Sequence, residues 1–364
     1  MSLLGAGDKL GRMSRRATTL TVASLMLVVL VAVTFLLPVP YVTMEPGPTL
    51  DTLGETDGKP LIDFGPGVKT YETAGSLALT TVSVTRPDSK LGLAQAFEAW
   101  FDGSAAIVPR DLIYPPEQSS AEAEEETRAQ MSGSQLTSEV AGLIEAGYDV
   151  SSFVEVSSVE ADGPADGTLE SGDQIVAVDG EPVATPDEAI AAITNRQPGD
   201  AVGLDIRRNG ATQAVEITTA ADPDNEQTPR IGISVGAEYD VPVDVVYNVS
   251  RRIGGPSAGT MFALAIYDKL TPGPLTGGAS IAGTGEIEAD GTVGSIGGIQ
   301  QKIAAAADDG ATVFLVPAGN CEEAVGADVD LDSIQLVRIS SLHDAVTSLE
   351  ALDDDPGATV PACG

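Results

Sequence analysis

The 364-residue sequence predicts a multidomain α+β protein with a single N-terminal transmembrane helix, a β-rich module and a C-terminal α/β module. Three patterns predict it. An apolar run stands at residues 20–37. Period-two apolar stretches recur between residues 151 and 221 around one capped helix. From 229 to 350, strands alternate with helices and glycine-rich turns.

The apolar run, LTVASLMLVVLVAVTFLL, is interrupted only by Thr21, Ser24 and Thr34. Roughly 18 residues rising ~1.5 Å each just cross a hydrocarbon layer of ~30 Å. Lys9, Arg12, Arg15 and Arg16 precede it against one acid, Asp8, whereas Glu45 and Asp51 follow it. That asymmetry keeps residues 1–19 cytoplasmic as a basic tail and sends the rest outside the cell membrane. No small-x-small pattern follows, so the run reads as an uncleaved anchor rather than a signal peptide, ended by Pro38 and Pro40. In an exterior compartment Cys321 and Cys363 can bond or remain two thiols, and the sequence leaves both open.

Residues 41–130 read as an exterior N-terminal segment with an acidic loop. Leu77 to Val84 alternates like a strand, and Gly92 to Phe101 suits a short helix. Pro109 to Pro116 returns to loop, and SSAEAEEETR at 119–128 is expected to be solvated loop.

From 131 to 221, Leu136, Val140, Leu143 and Ile144 share a helix face. Strands are expected at Phe153–Val156, Gln174–Val178, Val202–Ile206 and Ala214–Ile217. Thr185-Pro186-Asp187-Glu188 is a capping box that opens a helix to Thr194. The series Gly163 to Leu169, Ser171-Gly172-Asp173, Asp179-Gly180, Pro198-Gly199-Asp200 and Arg207 to Gly210 resembles a bacterial PDZ domain. The resemblance implies a module that takes an extended peptide as an added strand, or one used only as a spacer. A carboxylate-binding loop is expected near Gly147 to Ser152, although no glycine-hydrophobic-glycine signature stands there.

Composition narrows the chemistry. A net charge of −35 repels nucleic acid and anionic lipid from the exterior part. One histidine, His343, and two cysteines exclude multi-histidine zinc sites and CxxC motifs, so no metal or cofactor is expected.

Gly255-Pro256-Ser257-Ala258-Gly259 admits three readings. It fits G-x-S-x-G, the α/β-hydrolase elbow. Arg251 and Arg252 break the strand that elbow needs, however, and His343 sits opposite the apolar stripe (Leu342, Val346, Leu349) of the last helix. Ser257 also fits a simple helix cap. Or it is a nucleophile served by Lys302, which lies among small residues (Ile299 to Ala307) that favour close packing and loss of water. A lysine acts as a base only when neutral, and burial makes it so.

The motifs Gly255 to Gly259, Ala282 to Ile287, Gly291 to Gly294, Ile296 to Lys302 and Val316 to Asn320 resemble the proteolytic domain of the Lon family. The resemblance covers about 110 residues and implies a Ser257–Lys302 dyad, supported by Thr284, with backbone of the turn at Gly255, Pro256 and Ala258 holding the oxyanion. It also implies polypeptide substrates and ring-like homo-oligomers, hexamers in the family. Two departures stand out. No G-x-x-x-x-G-K-[ST] occurs, so no ATP is expected, and position 254 is glycine where Lon proteins commonly carry an acid. The arrangement resembles the membrane-anchored, PDZ-containing Lon-like peptidases of Gram-positive bacteria. The competing expectation is a non-catalytic PDZ/Lon-like scaffold at the membrane. Residues 229–350 would form the Lon-like domain and 351–364 an acidic tail.

Overall fold

The first helix, α1 (Arg15–Leu36), is apolar on every side, and within Arg16–Thr34 its mean hydropathy is 2.2 with nothing buried inside the protein. By length and composition it can cross a membrane. The computed structural model describes residues 15–115 and 118–364. Lys9 and Arg12 of the expected basic tail, and Pro116 of the expected loop, lie outside these.

Beyond α1, one mixed sheet organises most of the molecule. Its strands are β1 (Tyr41–Asp51), β2 (Ser76–Val84), β3 (Ala106–Pro109), β9 (Ser280–Gly283), β10 (Val313–Pro317) and β11 (Gln335–Ile339). Their order is β11-β10-β9-β2-β1-β3; the first four are mutually parallel, and β1 is antiparallel to both neighbours. Parallel strands covered on both faces need apolar residues at every position, and all of Val313-Phe314-Leu315-Val316-Pro317 is buried. Alternation divides the core in two. Leu77, Leu79, Ile281 and Leu315 face α5 (Gly259–Leu270) and α7 (Leu342–Asp354), whereas Ala78, Ala282, Phe314 and Val316 face α6 (Ile299–Asp308). The segment 41–84, read from sequence as a separate exterior region, therefore supplies two strands to the same sheet as residues 280–339.

The β-rich module holds β4 (Ser151–Val159), β5 (Gln174–Val178), α4 (Pro186–Thr194), β6 (Ala201–Arg208), β7 (Ala211–Thr218) and β8 (Ile233–Asp240) in the order β7-β6-β5-β4-β8. Each expected strand lies within one of these. The Thr185–Glu188 box forms, with Thr185 Oγ1 accepting from the Glu188 N–H and the Glu188 carboxylate accepting from the Thr185 N–H. Buried Asp173 accepts two bonds at 2.6 Å from the Arg208 guanidinium, which fastens the loop before β5 to the end of β6.

Two expectations fail locally. The acidic stretch 119–128 is not loop: it begins α3 (Ser120–Glu145), a 26-residue helix. Ser119 and Glu122 form a capping box, and extending an established helix through Ala, Glu and Arg is cheap once residues 131–145 are packed. The face carrying Leu143 packs on α5 in the main core, so the helix is built into the sheet-and-helix body. Likewise Pro109 to Ile113 is not loop, since Pro109 ends β3 and Arg110–Ile113 forms a helical turn.

Phe262 is fully buried in that core, its ring 5.2 Å edge-on from Tyr247. Phe262→Ala is expected to lower unfolding free energy by about 3–5 kcal/mol, measured by urea titration. Cys321 and Cys363, 42 positions apart, form a disulfide that pins the C-terminal segment, where Ala362 bridges Val337 of β11.

Candidate active site

Ser257 stands in the turn that leads into α5. Gly255 takes φ +86°, a left-handed conformation costly for other residues, and its N–H donates to the Thr127 carbonyl of α3 at 3.1 Å. Ser134, also on α3, donates its hydroxyl to the Pro256 carbonyl at 2.9 Å. The turn is thus held from outside by a helix whose first nine residues sequence reasoning assigned to loop. The same approach explains Gly254: a Cβ there would lie 2.3 Å from Thr127 Cγ2, so this chain has no room for the acid common in Lon proteins.

Lys302 arrives from the opposite side of the sheet. Gly298 caps α6 in the left-handed region (φ +70°), close enough to β2 that a Cβ would sit 2.8 Å from Val82 Cγ2. The preceding loop is clamped by buried Asn320, which accepts from the Ile296 N–H and donates to its carbonyl, both at 2.9 Å. Helix α6 then buries Lys302 to 2 % exposure. Its Nζ lies 2.7 Å from Ser257 Oγ, 2.9 Å from Thr284 Oγ1 and 3.2 Å from the Thr80 carbonyl of β2. Thr284 in turn donates to the Ser257 carbonyl at 2.9 Å.

These bonds fit a neutral amine completely. Two N–H groups serve the Thr80 carbonyl and Thr284 Oγ1, and the lone pair remains for the Ser257 hydroxyl. Burial, with no compensating carboxylate beside it among the described residues, lowers the Lys302 pKa from 10.5 to about 7. The sequence-predicted pair and Thr284 are therefore together. The turn backbone needs correction. Gly255 spends its N–H on Thr127 and Pro256 has none, so of the three named positions only Ala258 retains an amide suited to an oxyanion. His343 is exposed on α7, with Nδ1 2.8 Å from Glu145 Oε1, which raises its pKa; it is paired on the surface and is no part of the site.

A cleft of about 710 Å³ opens over the pair, walled by Met44, Thr80, Val82, Tyr114, Gln130 and Met131. A second groove, of about 610 Å³, lies in the β-rich module between Ile190 and Ile193 of α4 and the edge strand β8 at Ile233 and Val235. The turn at its end is Arg230-Ile231-Gly232-Ile233, with Gly232 at φ +73°. Gly147 to Ser152, where a carboxylate-binding loop is expected, lead instead into β4, an inner strand of the sheet. Ile231-Gly232-Ile233 stands about eighty residues downstream, leading into the edge strand that closes the module rather than the strand that opens it.

A PDZ domain model matches residues 129–219, and a model of the Lon protease (S16) C-terminal proteolytic domain matches residues 237–349. The chain is 39% identical over 113 residues to a Lon protease of Clostridioides difficile and 30% identical over 128 residues to the peroxisomal Lon protease homolog 2 of Caenorhabditis elegans. Those alignments cover 31% and 35% of this chain but only 12% and 16% of the relatives, respectively. A crystal structure of the PDZ domain of an SdrC-like protein from Listeria monocytogenes is 32% identical, covers 22% of this chain and 85% of that one, and superposes with a TM-score of 0.21. The chain carries a PDZ domain and, C-terminal to it, a proteolytic domain of the Lon serine-peptidase family.

Proposed function

We propose that the chain is an ATP-independent endopeptidase, anchored in the cell membrane by α1, that cleaves unfolded or peptide-like polypeptides outside the cytoplasm. One observation carries this: a buried amine, with no counter-ion among the described residues, lies 2.7 Å from a half-buried serine hydroxyl in an open cleft. In this reading Lys302 takes the Ser257 proton as Oγ attacks a peptide carbonyl. It returns that proton to the leaving amine, and water then releases the acyl-enzyme by the reverse relay. The amides of Ser257 and Ala258, at the start of α5, meet the developing oxyanion. Thr284 orients the amine and ties it to the serine backbone.

The β8 edge and its groove suit an extended peptide added as a further strand, which supports substrate delivery or gating by the PDZ domain. The sequence has no Walker motif, which supports restriction to substrates that need no unfolding. Ring-like hexamers accord with the family resemblance; sedimentation of the detergent-solubilised chain tests them.

The test is cleavage of casein by the full chain, set against Ser257→Ala, Lys302→Ala and a stably folded substrate. Equal cleavage by all three proteins sinks the dyad, and equal rates on folded and unfolded substrates sink the substrate class. Thr284→Val removes one partner of the amine and is expected to lower kcat about ten- to a hundred-fold with little change in KM.

A further inference from the structure

Helix α2 (Leu93–Phe101) turns its large apolar residues outward. Phe97, Trp100 and Phe101 are 52%, 74% and 82% exposed, and their i, i+3, i+4 spacing puts them on one face, opposite buried Ala99. Leaving such side chains in water forgoes about 1.5–3 kcal/mol apiece, so three together call for a cover. Trp100 is the only tryptophan in the sequence.

The position of this face names the cover. The two-residue strands Pro38–Val39 and Leu91–Gly92 pair, and the Leu93 N–H donates to the Leu37 carbonyl at 3.2 Å. Helix α2 therefore starts beside the residue that follows α1, and the two helices touch. Two more exposed apolar side chains stand beside that junction. Tyr41, 42% exposed, pairs with Pro109; Leu112, 75% exposed, follows Arg110, whose N–H donates to the Pro40 carbonyl. A bilayer crossed by α1 has its polar boundary near Leu37, at the level of α2. Tryptophan and tyrosine favour that boundary, where the ring is buried and the N–H or O–H stays wet.

We propose that the exposed face of α2, with Tyr41 and Leu112, docks into the interface of the bilayer that α1 crosses and holds the proteolytic domain against the lipid surface. This rests on reading α1 as a membrane anchor. The net charge of −35 gives no attraction to anionic headgroups, so aromatic and apolar insertion supplies the contact, and zwitterionic lipid suffices.

The full chain is reconstituted into phosphatidylcholine vesicles, dilute enough that copies stay apart, and Trp100 emission is read with and without phosphatidylcholine brominated in its acyl chains. A parallel alkaline carbonate wash reports whether α1 spans. The expected result is carbonate resistance with more than half of the emission quenched by brominated lipid. Phe97→Ser combined with Phe101→Ser loses most of that quenching and shifts emission red, while hydrolysis of a soluble peptide is unchanged. A carbonate-resistant chain whose emission ignores brominated lipid overturns the docking and spares the anchor. Emission that moves blue only when vesicles are crowded with protein assigns the face to a second copy and overturns it too. Extraction by carbonate refutes the anchor, and the docking falls with it.

Discussion

Lys302→Arg is expected to abolish peptide cleavage at every pH, a loss of roughly 10⁴-fold or more, equal to that of Ser257→Ala. Arginine keeps a positive charge and N–H donors near Ser257 but has no lone pair to offer below pH ~12. If Lys302 merely attracted negative charge, arginine would do as well. The wild type is expected to show an acid limb, with kcat/KM rising as pH increases through about 7 and level above it. The sign follows from the site: burial lowers the Lys302 pKa from 10.5 to about 7, and only the neutral amine accepts a proton. Activity in Lys302→Arg within tenfold of wild type, or a profile falling with pH through that range, would rule out the amine as base.

The same burial makes Lys302 a liability to the fold, and Lys302→Met exposes it. Between pH 7 and 10.5 the unfolded chain binds a proton that the folded chain largely lacks, so wild-type stability rises with pH across that window. Below about pH 7 the folded protein carries the desolvated charge in full. At ~1.4 kcal/mol per pH unit the difference between the two limits is of the order of 5 kcal/mol. Methionine never carries that charge, but it leaves the Thr80 carbonyl and Thr284 Oγ1 without a donor, at about 1–3 kcal/mol each. The two effects compete, and pH decides the winner. Lys302→Met is expected to melt above wild type at pH 6 and below it at pH 10. Other buried acids, such as Asp268 (raised to about 6) and Glu139 (raised to about 7), are common to both proteins and cancel in the difference. A melting difference that does not change with pH would mean that Lys302 titrates normally.

What the sequence disclosed about this site was its side chains. Ser257 was legible because a glycine turn opening a helix is a local signal, and Lys302 because its neighbours in α6 are alanines that leave no room for water. Backbone partners were not legible. The Thr80 carbonyl that fixes the amine carries no residue preference, and its strand reads like any other until Ser76–Leu79 is seen paired with Ser280–Gly283. Helix α3 shows a different failure. Its acidic start reads as loop by charge, but the Ser119–Glu122 capping box is a sequence-level helix signal that points the other way. Thr127, which holds the nucleophile turn, lies in that stretch, whereas the role of Ser134 follows from a tertiary contact no local pattern shows. The β8 edge was not legible for a related reason: which strand lies at a sheet edge is a property of pairing order.

The partners of the dyad are far apart in the order of synthesis. Thr80 and Lys302 are separated by 222 positions, with the whole PDZ domain between them. At about 5–20 residues per second, a ribosome needs roughly 10–45 s to pass from one to the other. For most of that interval β2 waits without β9, its parallel neighbour, and a newly made Lys302 still in water keeps the ordinary lysine pKa and remains protonated at neutral pH. Until Lys302 is buried against β2 it stays charged and cannot act as the proposed base for Ser257. The topology thus ties the proposed chemistry to the closing of the sheet, since Lys302 meets Thr80 only once residues from both ends of the sheet are packed together.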